Sequence, residues 1–133
     1  MNACFADTYF YLALLSERDV GHERALVLNS QLELPMVTTA WVLTEVADAF
    51  AAPADRALFG ELYDALRDDP NVLVVPPDLA LFERGVEFFR ERPDKRWSLT
   101  DCISFVVMAE QGIADALTAD HHFEQAGFRA LLK

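Results

Sequence analysis

The sequence predicts a three-layer α/β/α fold, in which helices cover both faces of a central, mostly parallel sheet of four or five strands. Short runs of apolar and β-branched residues alternate with longer stretches of helical periodicity, which is the pattern of parallel α/β proteins. The chain has 133 residues, 53% of them hydrophobic, which is enough to build a sizeable core. Because no internal repeat or long linker is present, we expect residues 1–133 to form a single domain.

The predicted strands are short and mostly apolar. "NVLVVP" is the clearest, because it is rich in valine and closed by a proline. "NACFAD" has the composition of a buried strand, and "FRALL" is a candidate edge strand. The predicted strand ranges are 2–7, 35–39, 71–76, 115–120 and 128–132.

The predicted helices follow apolar stripes. In the helix 78–91 we place Leu79, Phe82, Val86 and Phe89 on the face toward the core. The most apolar helix begins after Ser98 and ends at Gly112, a residue suited to a helix C-cap. The other predicted helical ranges are 8–15, 19–32, 39–50, 54–69 and 121–127.

The charge balance limits the classes of function. The net charge of −11 argues against broad, nonspecific adhesion to nucleic acid, which needs basic surface. It does not exclude a phosphate substrate held locally through a bound cation. Cys4 and Cys102 form no Cys-x-x-Cys motif, so a redox pair or structural zinc site is not indicated. The apolar N-terminus lacks the basic region of a signal peptide, and no apolar run is long enough to cross a bilayer.

Two aspartates are predicted at the carboxyl ends of strands. Asp7 ends the first predicted strand and Asp120 the fourth, and parallel α/β sheets collect ligands outside these strand ends. An aspartate in such a position is also common as a turn former or helix N-cap. For either residue alone, that structural role is the more ordinary interpretation.

Two further acids stand in apolar surroundings. Glu45 falls beside the apolar stripe of the helix 39–50, where an acid needs a partner; the alternative to a functional role is an arginine pair. Asp101 lies in the "SLTD" start of the apolar helix, with Ser98 as a candidate N-cap. Four converging carboxylates would repel one another unless some protonate or a divalent cation neutralises them. Oxygen ligands without a cysteine or histidine cluster suit Mg²⁺ or Mn²⁺.

With these acids in order, the chain resembles the PIN-domain proteins, and more narrowly the VapC-type toxins of bacterial toxin–antitoxin pairs. The segments that carry the resemblance are "FADTYFYLALL", "TTAWVLTEV", "KRWSLTDCISFVVM" and "ALTADHHFEQAGF". The resemblance implies that Asp7, Asp101 and Asp120 are metal ligands. It implies that Glu45 helps to position water or a second ion, and that Thr118 supports the site.

The resemblance also implies an activity and partners. It implies a cytoplasmic ribonuclease that hydrolyses RNA phosphodiester bonds with Mg²⁺ or Mn²⁺, as the toxin of a toxin–antitoxin pair. It further implies a homodimer, with no membrane association, and a small antitoxin that blocks the pocket. In such an enzyme the metal ion lowers the pKa of a bound water and stabilises charge on the phosphate.

A basic cluster directly precedes the Asp101 helix. Arg92, Lys95 and Arg96, with Arg90, could hold an RNA backbone beside the acids, or simply form an exposed helix end and loop. For Trp97 we favour packing in the core over stacking on a base. For the three histidines, His22, His121 and His122, we predict structural or surface roles rather than metal ligation.

Four alternatives were weighed against this interpretation. A PIN-domain nuclease that is not a toxin and a catalytically silent PIN-like module that binds protein both share the fold; loss of an acid would favour the silent module, and none is lost. A receiver-type signalling domain expects paired acids near the first strand and a lysine at a later strand end, but the only lysines are Lys95 and Lys133. A dehalogenase-like phosphatase expects Asp-x-Asp where this chain has "DTY".

Overall fold

Five short strands form one fully parallel sheet in the computed structural model, which describes residues 2–133. All four strand pairings are parallel, and the order across the sheet is β3-β2-β1-β4-β5. The strands are β1 (Cys4–Ala6), β2 (Met36–Thr39), β3 (Val72–Val75), β4 (Asp115–Leu117) and β5 (Arg129–Ala130). The predicted α/β architecture is therefore confirmed, and the last predicted strand lies at the sheet edge as expected.

Seven helices connect and cover the strands within residues 2–133. Every residue of β1 is buried, and because alternate strand residues point to opposite faces, both faces of the sheet are covered there. No helix in this range is long and apolar enough to cross a membrane. The helices are α1 (Thr8–Leu15), α2 (His22–Gln31), α3 (Ala40–Ala49), α4 (Arg56–Asp68), α5 (Leu79–Glu91), α6 (Leu99–Gln111) and α7 (His121–Gln125).

The strand order places a crevice beside β1. The chain adds β2 and β3 on one side of β1 and later adds β4 and β5 on the other. Such a reversal of strand order leaves a gap between the loop that follows β1 and the loop that follows β4, and α/β proteins bind ligands in such gaps. The residues that follow β1 and β4, beginning at Asp7 and Thr118, therefore share one edge of the sheet.

An aromatic cluster holds the surroundings of this edge in place. Phe105, on buried α6, packs edge-on against Trp97 at 5.1 Å and against Phe123 at 4.9 Å between ring centroids. Phe88 of α5 and Phe128, just before β5, complete the cluster. Trp97 immediately precedes Ser98, and Phe123 immediately follows His122. The core thus fixes both segments that flank the carboxyl end of β4.

The predicted core face of α5 is only partly correct: Phe82 packs against the core and Val86 is half-buried, but the other two residues are not buried. Leu79 is 70% exposed and Phe89 46% exposed, whereas Leu81 and Gly85 are buried. The cause is the close packing of α5 on α6, where Gly85 lies directly against Ile103. This contact rotates the helix away from the face that its large apolar residues define. A smaller deviation occurs in α3: the sequence predicts an apolar face of Val42, Val46, Ala49 and Phe50, but Ala49 is exposed and Leu43 is buried.

Substituting Gly85 with Ala is expected to destabilise the protein, because the new Cβ would lie 2.3 Å from Cγ1 of Ile103. Overpacking of this kind costs about 1–3 kcal/mol of unfolding free energy. Gly60 of α4 is a matched control, because its Cβ would meet nothing within 4 Å, and Gly60→Ala should stabilise the helix by up to about 1 kcal/mol. Urea unfolding of both variants measures the difference. Equal stabilities would contradict the close α5–α6 contact.

Candidate active site

Asp7 lies at the centre of the sheet edge and is not used to cap a helix. It follows β1 directly and occupies the N-cap position of α1, yet its side chain makes no capping hydrogen bond. Instead its Oδ2 accepts a hydrogen bond of 2.9 Å from Oγ1 of Thr118. The side chain is only 5% exposed. The ordinary helix-capping explanation therefore does not account for this buried carboxylate.

The environment of Asp7 opposes its ionisation. The pKa of this carboxyl is raised from 3.8 to about 7, mainly by burial and to a smaller extent by the charges of Asp101 and Asp120. The hydrogen bond from Thr118 and the backbone N–H of Thr8 act in the opposite direction. The charges of Asp101 and Asp120 both act on Asp7, which indicates that the three aspartates lie near one another. A carboxyl of this kind needs a proton or a cation at neutral pH.

Asp101 begins α6 in the way that its sequence predicts. Ser98 and Asp101 form a reciprocal capping box: Oγ of Ser98 accepts from the Asp101 N–H at 3.0 Å, and Asp101 Oδ2 accepts from the Ser98 N–H at 3.1 Å. Gly112 ends the same helix in the left-handed conformation, with φ of 67°. Burial raises the pKa of Asp101, and the charge of Asp120 adds to this effect. Capping and membership of the acidic site therefore coexist in one residue.

The loop after β4 brings Asp120 to the site through Thr118. The predicted strand 115–120 is too long: β4 ends at Leu117, because the Thr118 N–H turns back to the carbonyl of Ala116. Asp120 is the N-cap of α7, and its Oδ1 accepts from the His122 N–H at 2.9 Å. Oγ1 of Thr118 accepts from the Asp120 N–H and donates to Asp7. A single hydroxyl group thus ties Asp7 to the Asp120 loop.

Glu45 joins the site from α3 through a residue that sequence reasoning missed. Its Oε1 accepts a hydrogen bond of 2.6 Å from Oγ1 of Thr8, the residue after Asp7. The alternative of an arginine partner is wrong for the part of the chain that the structure describes, since no ion pair there includes Glu45. The one sequence feature that could have indicated a role for Thr8 is its position at the start of α1, directly after Asp7.

His122 is the second residue that the sequence analysis missed. Its Nδ1 lies 3.2 Å from Oδ2 of Asp101 and 3.4 Å from Oδ1 of Asp120. Interaction with His122 lowers the pKa of Asp101, against the larger effect of burial. The neighbouring His121 is exposed, and ligand atoms of Asp120, His121 and His122 all lie within 4.8 Å of one another. The sequence predicted only a structural role for His122, whereas the structure places its ring in contact with Asp101 and Asp120.

The basic residues before α6 divide into two groups. Arg92 pairs with Asp94 through two hydrogen bonds of 3.0 Å, and its guanidinium lies over the Trp97 ring. Lys95 and Arg96 line a cavity of about 240 Å³ beside the acids, and Nζ of Lys95 also lies 4.0 Å from Asp94. The rest of its lining is Asp94, His121, His122 and Gln125. As predicted, Trp97 is packed in the core, 4% exposed, and it donates its indole N–H to Gln125.

The donor set fits a hard divalent cation. The site acids supply carboxylate oxygens, the ligands that Mg²⁺ and Mn²⁺ prefer. Within residues 2–133, no hydrogen bond uses Oδ1 of Asp101 or Oδ2 of Asp120, so one oxygen of each is available to a ligand. The raised pKa values of Asp7 and Asp101 mean that a bound cation would relieve unfavourable charge.

Comparison with known proteins gives two kinds of match. A family model described as the PIN domain matches residues 4–129. VapC20 of Mycobacterium tuberculosis, described as a sarcin-ricin loop cleaving toxin, is 27% identical with a TM-score of 0.84, and the match covers 94% of this chain and 95% of VapC20. FitAcB from Neisseria gonorrhoeae shares the fold at 16% identity and a TM-score of 0.65, over 96% of this chain and 94% of its own. No curated protein sequence matches the chain.

Proposed function

The chain belongs to the PIN-domain family, and from this we propose that it is a metal-dependent endoribonuclease, the toxin of a toxin–antitoxin pair. The observation that carries the proposal is the group of Asp7, Asp101 and Asp120 at the carboxyl edge of the sheet, in which burial and mutual charge raise the pKa of Asp7 to about 7. Such a group is costly without a cation and suited to one. Similarity to VapC20 supports the toxin assignment.

We assign the roles as follows. Asp7, Asp101 and Asp120 hold Mg²⁺ or Mn²⁺, while Thr118 fixes the orientation of Asp7 and the start of the Asp120 loop. Glu45, held by Thr8, positions the attacking water or a second ion. The bound ion supplies Lewis-acid stabilisation of the phosphate. We also propose that residues 1–133 form one domain, since all five strands join a single sheet.

Cleavage of defined RNA by the purified protein tests this function. Cleavage with Mg²⁺ or Mn²⁺ that stops on chelation is the expected result. An oligonucleotide of the sarcin-ricin loop is one substrate to include, because VapC20 is described as cleaving that loop; tRNA and mRNA fragments are the others. Absence of metal-dependent cleavage of every RNA would favour the catalytically silent PIN-like module. Cleavage without toxicity on expression would favour a nuclease that is not a toxin.

For partners, we propose a cognate antitoxin and a homodimer, in the cytoplasm and without membrane association. An open apolar groove of about 570 Å³ between α3, α4 and the end of β3 supports a protein partner. Leu43, Phe59, Tyr63 and Val74 contribute to its lining. Size-exclusion chromatography with light scattering, of the protein alone and after expression with the product of the adjacent reading frame, tests both partners.

We propose that the RNA backbone passes the cavity beside Lys95 and Arg96. Arg96→Ala is expected to raise KM for RNA with little change in kcat, and to lower the slope of log affinity against log salt by about 0.7, as for one lost phosphate contact on a single strand. Lys95→Ala should act in the same direction. The effect of Arg92→Ala on the slope should be smaller, because Asp94 already neutralises this guanidinium.

Arg18→Ala is the matched control for that measurement. Arg18 is an exposed arginine that follows α1, and, like Arg96, it takes part in no ion pair within residues 2–133. If Arg18→Ala lowers the salt slope as much as Arg96→Ala does, the effect is one of net charge, and the proposed RNA path is wrong.

A further inference from the structure

We propose that His122 is a positioning residue of the metal site, which holds Asp101 through its Nδ1–H group and Asp120 through its backbone N–H, so that one oxygen of each acid stays available to a cation. The inference rests on the proposed function, because it concerns the same site. It adds a residue to which the sequence analysis gave only a structural role.

The contacts of His122 converge on the two acids. Its Nδ1 is 3.2 Å from Oδ2 of Asp101 and 3.4 Å from Oδ1 of Asp120, and its backbone N–H donates to the same Asp120 oxygen at 2.9 Å. The side chain is 19% exposed, so the ring is largely enclosed. Because ionised carboxylates are acceptors only, a nitrogen between two of them must carry the hydrogen. His122 therefore donates to Asp101 through Nδ1, and Oδ1 of Asp120 lies 3.4 Å from the same nitrogen.

The position of that hydrogen argues against Nδ1 of His122 as a metal ligand. A ring nitrogen that carries hydrogen has no free lone pair for a metal ion, so Nδ1 cannot be a ligand in this arrangement. The hydrogen bonds of His122 instead occupy one oxygen of each carboxylate, so that the other oxygen remains available to a metal ion. Asp101 receives both the Ser98 N–H and the His122 Nδ1–H on Oδ2, which leaves Oδ1 for a cation. Asp120 accepts the backbone N–H of His122 on Oδ1, which leaves Oδ2.

The test measures Mn²⁺ binding to the purified full-length chain by calorimetry, independently of RNA cleavage. Loss of a group that orients metal ligands typically weakens metal affinity by about 10–100-fold, and we expect His122→Ala to fall in this range. His122→Asn should restore most of the affinity, because its amide N–H lies close to the place of Nδ1. His122→Gln should not, because its amide extends to the place of Nε2.

The wild type, Asp101→Asn and His121→Ala serve as references that distinguish failure of the His122 role from failure of the metal site. If the wild type binds Mn²⁺, Asp101→Asn does not, and His122→Ala binds as the wild type does, then the role of His122 is wrong and the metal site stands. If His121→Ala weakens binding as much as His122→Ala, the two imidazoles act as ligands and the positioning role is wrong. If the wild type itself fails to bind Mn²⁺ or Mg²⁺, the proposed function fails together with this inference.

Thermal melting in EDTA identifies variants that fail to fold. Should His122→Ala be unfolded, the comparison between His122→Asn and His122→Gln decides the question. Equal Mn²⁺ affinities for those two variants would overturn the proposal, because a purely packing role would not distinguish the position of one amide N–H.

Discussion

Replacing Asp101 by Asn is expected to reduce metal-dependent RNA cleavage by at least about 10²-fold, while the fold is retained. The reason lies in the two oxygens of this carboxylate. The Asn side-chain oxygen can take the place of Oδ2, where it still accepts the N–H of Ser98 and preserves the capping box. The amide NH₂ then occupies the place of Oδ1, where it offers a cation no lone pair. The helix start survives and the proposed metal ligand is lost.

The measurement compares initial rates of RNA cleavage at saturating Mg²⁺ for the wild type, Asp101→Asn and Asp7→Asn. Asp64→Asn is the matched control, because Asp64 is an exposed acid on α4 paired with Arg67, and it should cleave at the wild-type rate. Melting temperatures in EDTA establish that each variant is folded. Full activity in both site variants would show that the site assignment is wrong.

The metal-free protein is expected to lose stability as the pH rises from 4 to 7, and Asp7→Asn should remove most of this loss. The pKa of Asp7 is raised from 3.8 to about 7 in the folded protein, mainly by burial. Between these values the folded state keeps a proton that the unfolded state has released, so the unfolding free energy falls with rising pH. At 1.36 kcal/mol per pKa unit, the full loss is about 4 kcal/mol.

Urea unfolding in EDTA at several pH values measures this dependence. The wild type and Asp64→Asn should weaken in parallel from pH 4 to 7 and level off above pH 7. Asp7→Asn should show a flatter profile and higher stability at pH 8. Adding Mg²⁺ at pH 8 should restore stability to the wild type, since a ligand that binds only the folded state stabilises it. Parallel dependences of the unfolding free energy on pH for the wild type and Asp7→Asn would contradict the raised pKa of Asp7 in the folded protein.

Much of the fold was predictable because its signals are local. The apolar helix from Leu99 onward has its start encoded by Ser98 and Asp101 and its end by Gly112, all within one short stretch. The order of strands and helices follows from composition in the same way. Asp7 and Asp120 could be proposed because strand ends in a parallel sheet face one edge, whatever the details of packing. Glu45 and Asp101 could be proposed because each stands among apolar neighbours in the sequence.

The sequence-based predictions that failed concern features that depend on contacts between segments distant in the sequence. The predicted face of α5 was wrong at its ends and missed Gly85, which has no apolar side chain to signal burial yet lies against Ile103. Thr8 meets Glu45 across 37 positions and His122 meets Asp101 across 21, so no local pattern pairs them. The sequence by itself determined the elements and the inventory of acids, because both are written in neighbouring residues. Only the tertiary structure decided which oxygen of each acid is held and which is left free, because that choice depends on donors brought in from other elements.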